Sequence, residues 1–206
     1  ALALLAATVA LSGDAPNTRG ATSPGVLEAH WKFDETAGRI AADSSGHGHD
    51  GVFRGNPKRA AGVLGGAIEF DGARDHIDFG RHSAFRLTGS MTISAWIKPS
   101  AFPAADTAIF STIRGGRDFR GYQLDTTIDR GPRTISLKLS NACGAMVARY
   151  GATPLQTGRW YHVAGVYNAE TRALDVYLNG ALDSGALLGP PTGRQLSARS
   201  NACAGR

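Results

Sequence analysis

No stretch of this 206-residue sequence is long and apolar enough to cross a membrane as a helix; the most apolar run, ALALLAATVAL at residues 1–11, falls well short of the roughly 20 residues needed. Nor is there any block of five or more like charges. The formal net charge is +5, but the 22 basic residues are scattered, so a nucleic-acid partner is not expected. No apolar pattern sustains a 3.6-residue period, which argues against an all-helical fold. The 27 glycines follow no Gly-X-Y repeat, which excludes collagen, and 42% hydrophobic residues exclude a disordered chain.

Catalytic signatures are missing too. Glycoside hydrolysis needs two carboxylates about 5 to 9.5 Å apart. Sandwich β-glucanases carry them as Glu-x-Asp-x-Glu on one strand, where alternation points all three acids into one cleft. Only Glu28, Glu35, Glu69 and Glu170 occur here, and the nearest approach, Glu69-Phe70-Asp71-Gly72-Ala73, has alanine where the second glutamate belongs. There is no Gly-x-Ser-x-Gly elbow, no His-Glu-x-x-His helix and no phosphate loop; Arg114-Gly-Gly-Arg117 is too short for one. No catalytic residue is nominated, and an enzyme is not expected.

What is present is strand after strand. Residues 27–34 alternate, with Leu27, Ala29, Trp31 and Phe33 on one face and Glu28, His30, Lys32 and Asp34 on the other. Further strands are predicted at 67–72, 76–80, 90–98, 107–114, 121–127, 134–140, 146–150, 159–168 and 173–180. Nearly every gap between them holds Gly, Pro, Asn or Asp. Asn179-Gly180 is a tight-hairpin signal, because both central residues of that turn need positive φ. About a dozen short antiparallel strands imply an all-β, two-sheet jelly-roll sandwich. Residues 1–15 read as the remnant of a secretion signal peptide, 16–25 as a flexible spacer and 26–206 as the domain.

The segments HWKFDETAG, DSSGHGHDG, GGAIEFDGARDHIDFG, TISAWIKP and RWYHVAGVYNAETRALDVYLNG, in that order, resemble the laminin-G-like, concanavalin A-type jelly-roll modules of secreted bacterial proteins. The resemblance covers residues 26–206. It implies an extracellular or cell-surface module that binds glycan or extracellular protein. The alternative it leaves open is a structural accessory to a larger secreted enzyme, with no ligand of its own. Such domains typically end in one further strand rich in apolar and acidic residues, so the domain reads as cut short at its C-terminus.

Candidate sites follow. Asp43-Ser-Ser-Gly-His-Gly-His-Asp50-Gly51 gathers carboxylates, hydroxyls and flexible backbone, and Asp43 and Asp50 are the expected ligands of a structural calcium ion. The same run also fits an ordinary Asx turn. Two imidazoles, His47 and His49, without a cysteine or third histidine do not make a zinc site. Cys143 and Cys203, each in Ser-Asn-Ala-Cys, are expected to form a disulfide in an exported chain. Trp96 lies on the polar face of its strand, and with Arg117, Asp118 and Tyr122 it is a candidate ligand contact; Phe102 and Phe119 are alternatives on loops. The segment 114–124 resembles the Arg-Asp-Asn loop of pentraxins. Its counterpart, LSARSNACAG at 196–205, has no acid to partner Asp118, so pentraxin-type phosphocholine binding is not expected. Neutral and acidic glycans are equally compatible with the arginine-rich surface.

Overall fold

The computed structural model describes residues 2–9 (backbone only), 26–103, 105–113, 119–129, 131–197 and 200–205. In chain order the strands are β1 (Leu2–Val9), β2 (Ala29–His30), β3 (Ile40–Ala41), β4 (Gly51–Arg54), β5 (Lys58–Ala61), β6 (Gly66–Phe70), β7 (His76–Gly80), β8 (Met91–Pro99) and β9 (Thr107–Ser111). They continue as β10 (Tyr122–Thr127), β11 (Thr134–Ser140), β12 (Met146–Gly151), β13 (Tyr161–Asn168), β14 (Ala173–Leu178), β15 (Ala181–Leu182), β16 (Ser184–Leu188) and β17 (Ala202–Ala204). Among the described residues the only helical turn is a 3₁₀ turn at Ser83–Phe85. One sheet runs β15-β14-β13-β8-β1-β6-β5, with β2 pairing β1; the other runs β16-β12-β11-β10-β9-β17-β7-β4-β3. Every paired strand is antiparallel, as the sandwich reading requires.

The alternation read from the sequence decides which side chains meet between the sheets. In β8, Met91, Ile93, Ala95 and Ile97 are buried while Thr92, Ser94, Trp96 and Lys98 are partly exposed on the opposite face. Central strand β13 turns Tyr161, Val163 and Tyr167 inward. From the second sheet, Ile109, Phe110, Tyr122, Leu124, Ile135, Leu137, Leu139 and Val147 complete one hydrophobic core. Trp31 lies at its heart, stacked on Phe79 with centroids 3.9 Å apart. Gly165 permits close approach of the sheets, because a Cβ there would sit 3.0 Å from Leu137. The β14–β15 turn has Asn179 at φ 53 and Gly180 at φ 82, as predicted for a hairpin of that type.

Two expectations are corrected, and one strand stands where none was predicted. The strand expected over 27–34 is only Ala29–His30 plus a bridge from Trp31 to Asp43. Phe33 takes φ 59, a left-handed conformation that no extended strand can carry. The Cys143–Cys203 bridge is not formed. Cys143 sits in the exposed turn between β11 and β12, whereas Cys203 lies on β17, and β9 and β10 intervene. The three strand spacings between their positions, roughly 14 Å, already exceed the reach of a disulfide. Finally, the backbone of Leu2–Val9, read from sequence as leader, is a strand inserted between β8 and β6.

Candidate functional site

Of the sequence-nominated contacts, Arg117 and Asp118 lie outside the described residues. Tyr122 is not a ligand contact: it is fully buried in the core, and its hydroxyl donates to the Phe85 carbonyl at 3.1 Å. It shares the inward face of β10 with Leu124, within the strand predicted over 121–127. Burial pushes its phenol well above the ordinary range.

The 43–51 loop is the Asx-type turn. Asp43 Oδ1 accepts from the backbone N–H of His30 and Ser45, and Oδ2 accepts from the His49 N–H and the Ser45 hydroxyl. Burial raises the carboxyl's pKa, but these donors outweigh it and hold the value at about 2. Asp50 Oδ1 in turn accepts from the Asp43 N–H at 2.8 Å. Among the described residues no three histidine, cysteine or acidic side chains are grouped to hold a metal. As folded, each Asp43 carboxylate oxygen already accepts two hydrogen bonds, so Asp43 is committed to the turn, and of the two expected calcium ligands only Asp50 has an oxygen, Oδ2, that the turn does not use.

A second cluster was not anticipated from sequence. On the outward face of β9 to β12, Ser111 donates to Gln123 (2.8 Å), Gln123 donates to Asp125 (2.6 Å), and Ser136 donates to the other Asp125 oxygen. Lys138 Nζ then pairs with Asp125 at 3.1 Å, Asp129 at 3.0 Å and Asp106 at 2.5 Å. Tyr150 donates to Asp129, closing the chain on β12. Desolvation disfavours the Lys138 ammonium, but its three carboxylates outweigh that and raise its pKa. Asp125 is fully buried, and desolvation pushes its carboxyl up against the pull of Lys138. One ammonium pairs with all three carboxylates, and fully buried Asp125 is bonded through both oxygens, so the cluster ties β10 and β11 to the segments that carry Asp106 and Asp129. The sequence signal was available: Asp125 and Lys138 both alternate with core residues on adjacent strands.

The outward face of the other sheet is different in kind. Trp96 faces His162 across β8 and β13, edge to face with centroids 5.3 Å apart. Desolvation lowers the His162 pKa, which favours a neutral imidazole beside the indole. Lys98 lies over the Trp160 ring at 5.7 Å. Tyr177 and exposed Leu182 extend the surface across β14 and β15, with Ala164 as a low point between Ser94 and Tyr177. Trp96 is the contact nominated from sequence; Trp160, just before central strand β13, is only half-buried. A partly exposed row of indole, imidazole and phenol side chains offers flat apolar faces edged by polar atoms.

No curated protein matches the chain. Residues 71–202, more than half of it, match the family model Laminin_G_3, described as the concanavalin A-like lectin/glucanases superfamily. That match spans strands of both sheets, from β7 to the start of β17. With the two antiparallel sheets around one core, it establishes that the chain belongs to the concanavalin A-like lectin/glucanase superfamily.

Proposed function

We propose that this chain is a secreted, non-catalytic carbohydrate-binding module. The observation that carries the reading is the partly exposed aromatic row Trp96, His162, Trp160 and Tyr177 on the outward face of β8, β13 and β14. Apolar faces of sugar rings pack on such surfaces, and hydroxyls at the ring edge reach polar neighbours such as Ser94, Lys98 and Asp175. Membership of a superfamily of lectins and glucanases supports a sugar ligand. The absence of a Glu-x-Asp-x-Glu strand in the sequence supports binding without hydrolysis.

The test is affinity electrophoresis and glycan-array binding of the protein and its Trp96→Ala variant. Binding that the variant loses, with no release of reducing sugar, supports the module. Equal binding by both proteins removes the aromatic row, and reducing-sugar release makes the chain an enzyme. Retention in 1 M salt favours stacking on a neutral glycan, because exposed charge contacts are then screened to about 3 Å.

Export is part of the proposal and rests on the apolar run at residues 1–11. N-terminal sequencing of protein recovered outside the cell tests it. A start near residue 15 supports a cleaved leader; a start at or before Leu2 keeps β1 in the sheet.

A further inference from the structure

Among the described residues the two sheets end in four edge strands, β15 and β5 on one, β16 and β3 on the other. Three of these edges are blunted. β15 and β3 are two residues long, and β5 carries Lys58 and Arg59, whose charges oppose a further strand. β16 differs: Ser184-Gly-Ala-Leu-Leu188 is five residues long, has no charge and no proline, and pairs on one side only, with β12. We infer that this edge is a homotypic interface, on which β16 of a second copy of the chain adds antiparallel and joins two sheets into one.

Three observations carry that choice of partner. The first is charge. The chain has a formal net charge of +5, so two copies repel over most of their surface, yet residues 173–193 contain no lysine, arginine or histidine. The two acids in that stretch are hydrogen-bonded within the chain. Asp183 is buried and accepts from the Thr153 hydroxyl at 2.6 Å, and Asp175 accepts from the Ser184 hydroxyl at 3.0 Å. Arg149, opposite Leu187 on β12, donates to the carbonyls of Leu174 and Gly185. A second copy therefore brings no free like charge to β16.

The second is preorganisation. The chain passes from the edge of one sheet to the edge of the other at Asp183, whose N–H donates to the Val176 carbonyl at 2.9 Å and whose carbonyl accepts from the Ala152 N–H at 2.8 Å. The Arg149 bonds reach from β12 to β14 of the opposite sheet and fix Gly185 on the way. The edge is thus held before a partner arrives, and little ordering entropy opposes pairing.

The third is self-complementarity. With a two-fold axis at Ala186, Leu187 of each copy stands opposite Gly185 of the other, and Leu188 opposite Ser184. Leu187 is 42% exposed, and a residue without a side chain leaves room for it. Such an interface is isologous and closes at two copies. The aromatic row lies on the outward face of the other sheet, so the inference stands apart from the carbohydrate reading.

Five edge residues fall short of the roughly 800 Å² per partner of a standard interface, so a dissociation constant of about 10–100 μM is expected. The experiment is sedimentation of the full chain in reductant, from about 1 to 500 μM to bracket that value, beside Ala186→Lys, Ala186→Glu and their equimolar mixture. The wild-type chain should show a monomer–dimer equilibrium that survives high salt. Each variant should weaken it at least tenfold, because the axis sets two like charges side by side, and the mixture should restore it through a lysine–glutamate pair. Hydrogen exchange at the Ser184–Leu188 amides should slow as concentration rises. Should one variant fail to fold, the other and the hydrogen exchange carry the test. A chain that stays monomeric throughout, a dimer that both variants leave intact, or assembly beyond two copies would overturn the interface.

Discussion

The outward faces of the two sheets start from the same strand alternation and end in opposite conditions. On β10 and β11 the outward residues Asp125, Ser136, Lys138 and Ser140 are as buried as the core residues between them. Most are closed into one hydrogen-bonded chain. On β8 and β13 the outward residues Trp96, Lys98, His162 and Val166 remain partly exposed and are mostly aromatic or amphipathic. Burial without solvent forces polar groups to satisfy one another, which makes a tie. Apolar faces left in water cost free energy until something covers them, which makes a docking surface. In this molecule buried charge marks structure, and aromatic exposure marks the face proposed to bind.

The comparison is broken most severely at Lys138. Replacing it with methionine leaves Asp125 buried without its counter-ion and should cost about 3–5 kcal/mol. Chemical denaturation would read this, and a Lys138→Met, Asp125→Leu double variant should recover much of it. If Lys138→Met is nearly neutral, the cluster is no tie. Tyr122→Phe comes next: it strands the Phe85 carbonyl in the core and should cost about 1–3 kcal/mol while leaving glycan binding unchanged. A variant that loses affinity without losing stability would restore Tyr122 as a contact. Trp96→Ala should show the reverse pattern, with affinity falling at least tenfold, or about 1.4 kcal/mol. Its melting midpoint should move little, because the side chain is only half-buried.

The smallest effect concerns the 43–51 turn. Asp43 has a folded pKa depressed to about 2, so its contribution is fully present above the ordinary aspartate value near 4 and is lost as pH falls through about 2. The amides of His30, Ser45 and His49 should titrate together in that window, not near pH 4. Chelator should leave the melting midpoint where it was, since the carboxylate is already committed; a drop in chelator would mean the loop refolds around a cation.

Much of the fold was legible because alternation is a local property. The runs at 76–80 and 134–140 are strands with the bounds read from sequence, and β8 sorts its inward and outward residues as its pattern requires. The site was harder to read. Tyr122 was placed on the right strand but chosen for its chemistry, when its register with Leu124 already sent it into the core. Asp125 and Lys138 carried the same register information and were passed over. Charged residues on a strand read as solvated, and nothing within a few residues announces that loops at Asp106 and Asp129 will close over them.

The sequence by itself determined the strand-rich class, the inward set of β8, the Asn179-Gly180 hairpin and the Asx turn at Asp43. Each depends on residues within about ten positions of one another, where φ preferences and period-two burial act directly. The tertiary structure alone decided the rest. Strands of two or three residues, such as β3, β15 and β17, carry no period, and β17 enters between β7 and β9 only because the sheet leaves a place there. That entry separates Cys203 from Cys143. The order of strands also brings Lys138 to Asp106, 32 positions away. Such contacts join segments far apart in the chain, and their free energy exists only once both sheets have closed on one core.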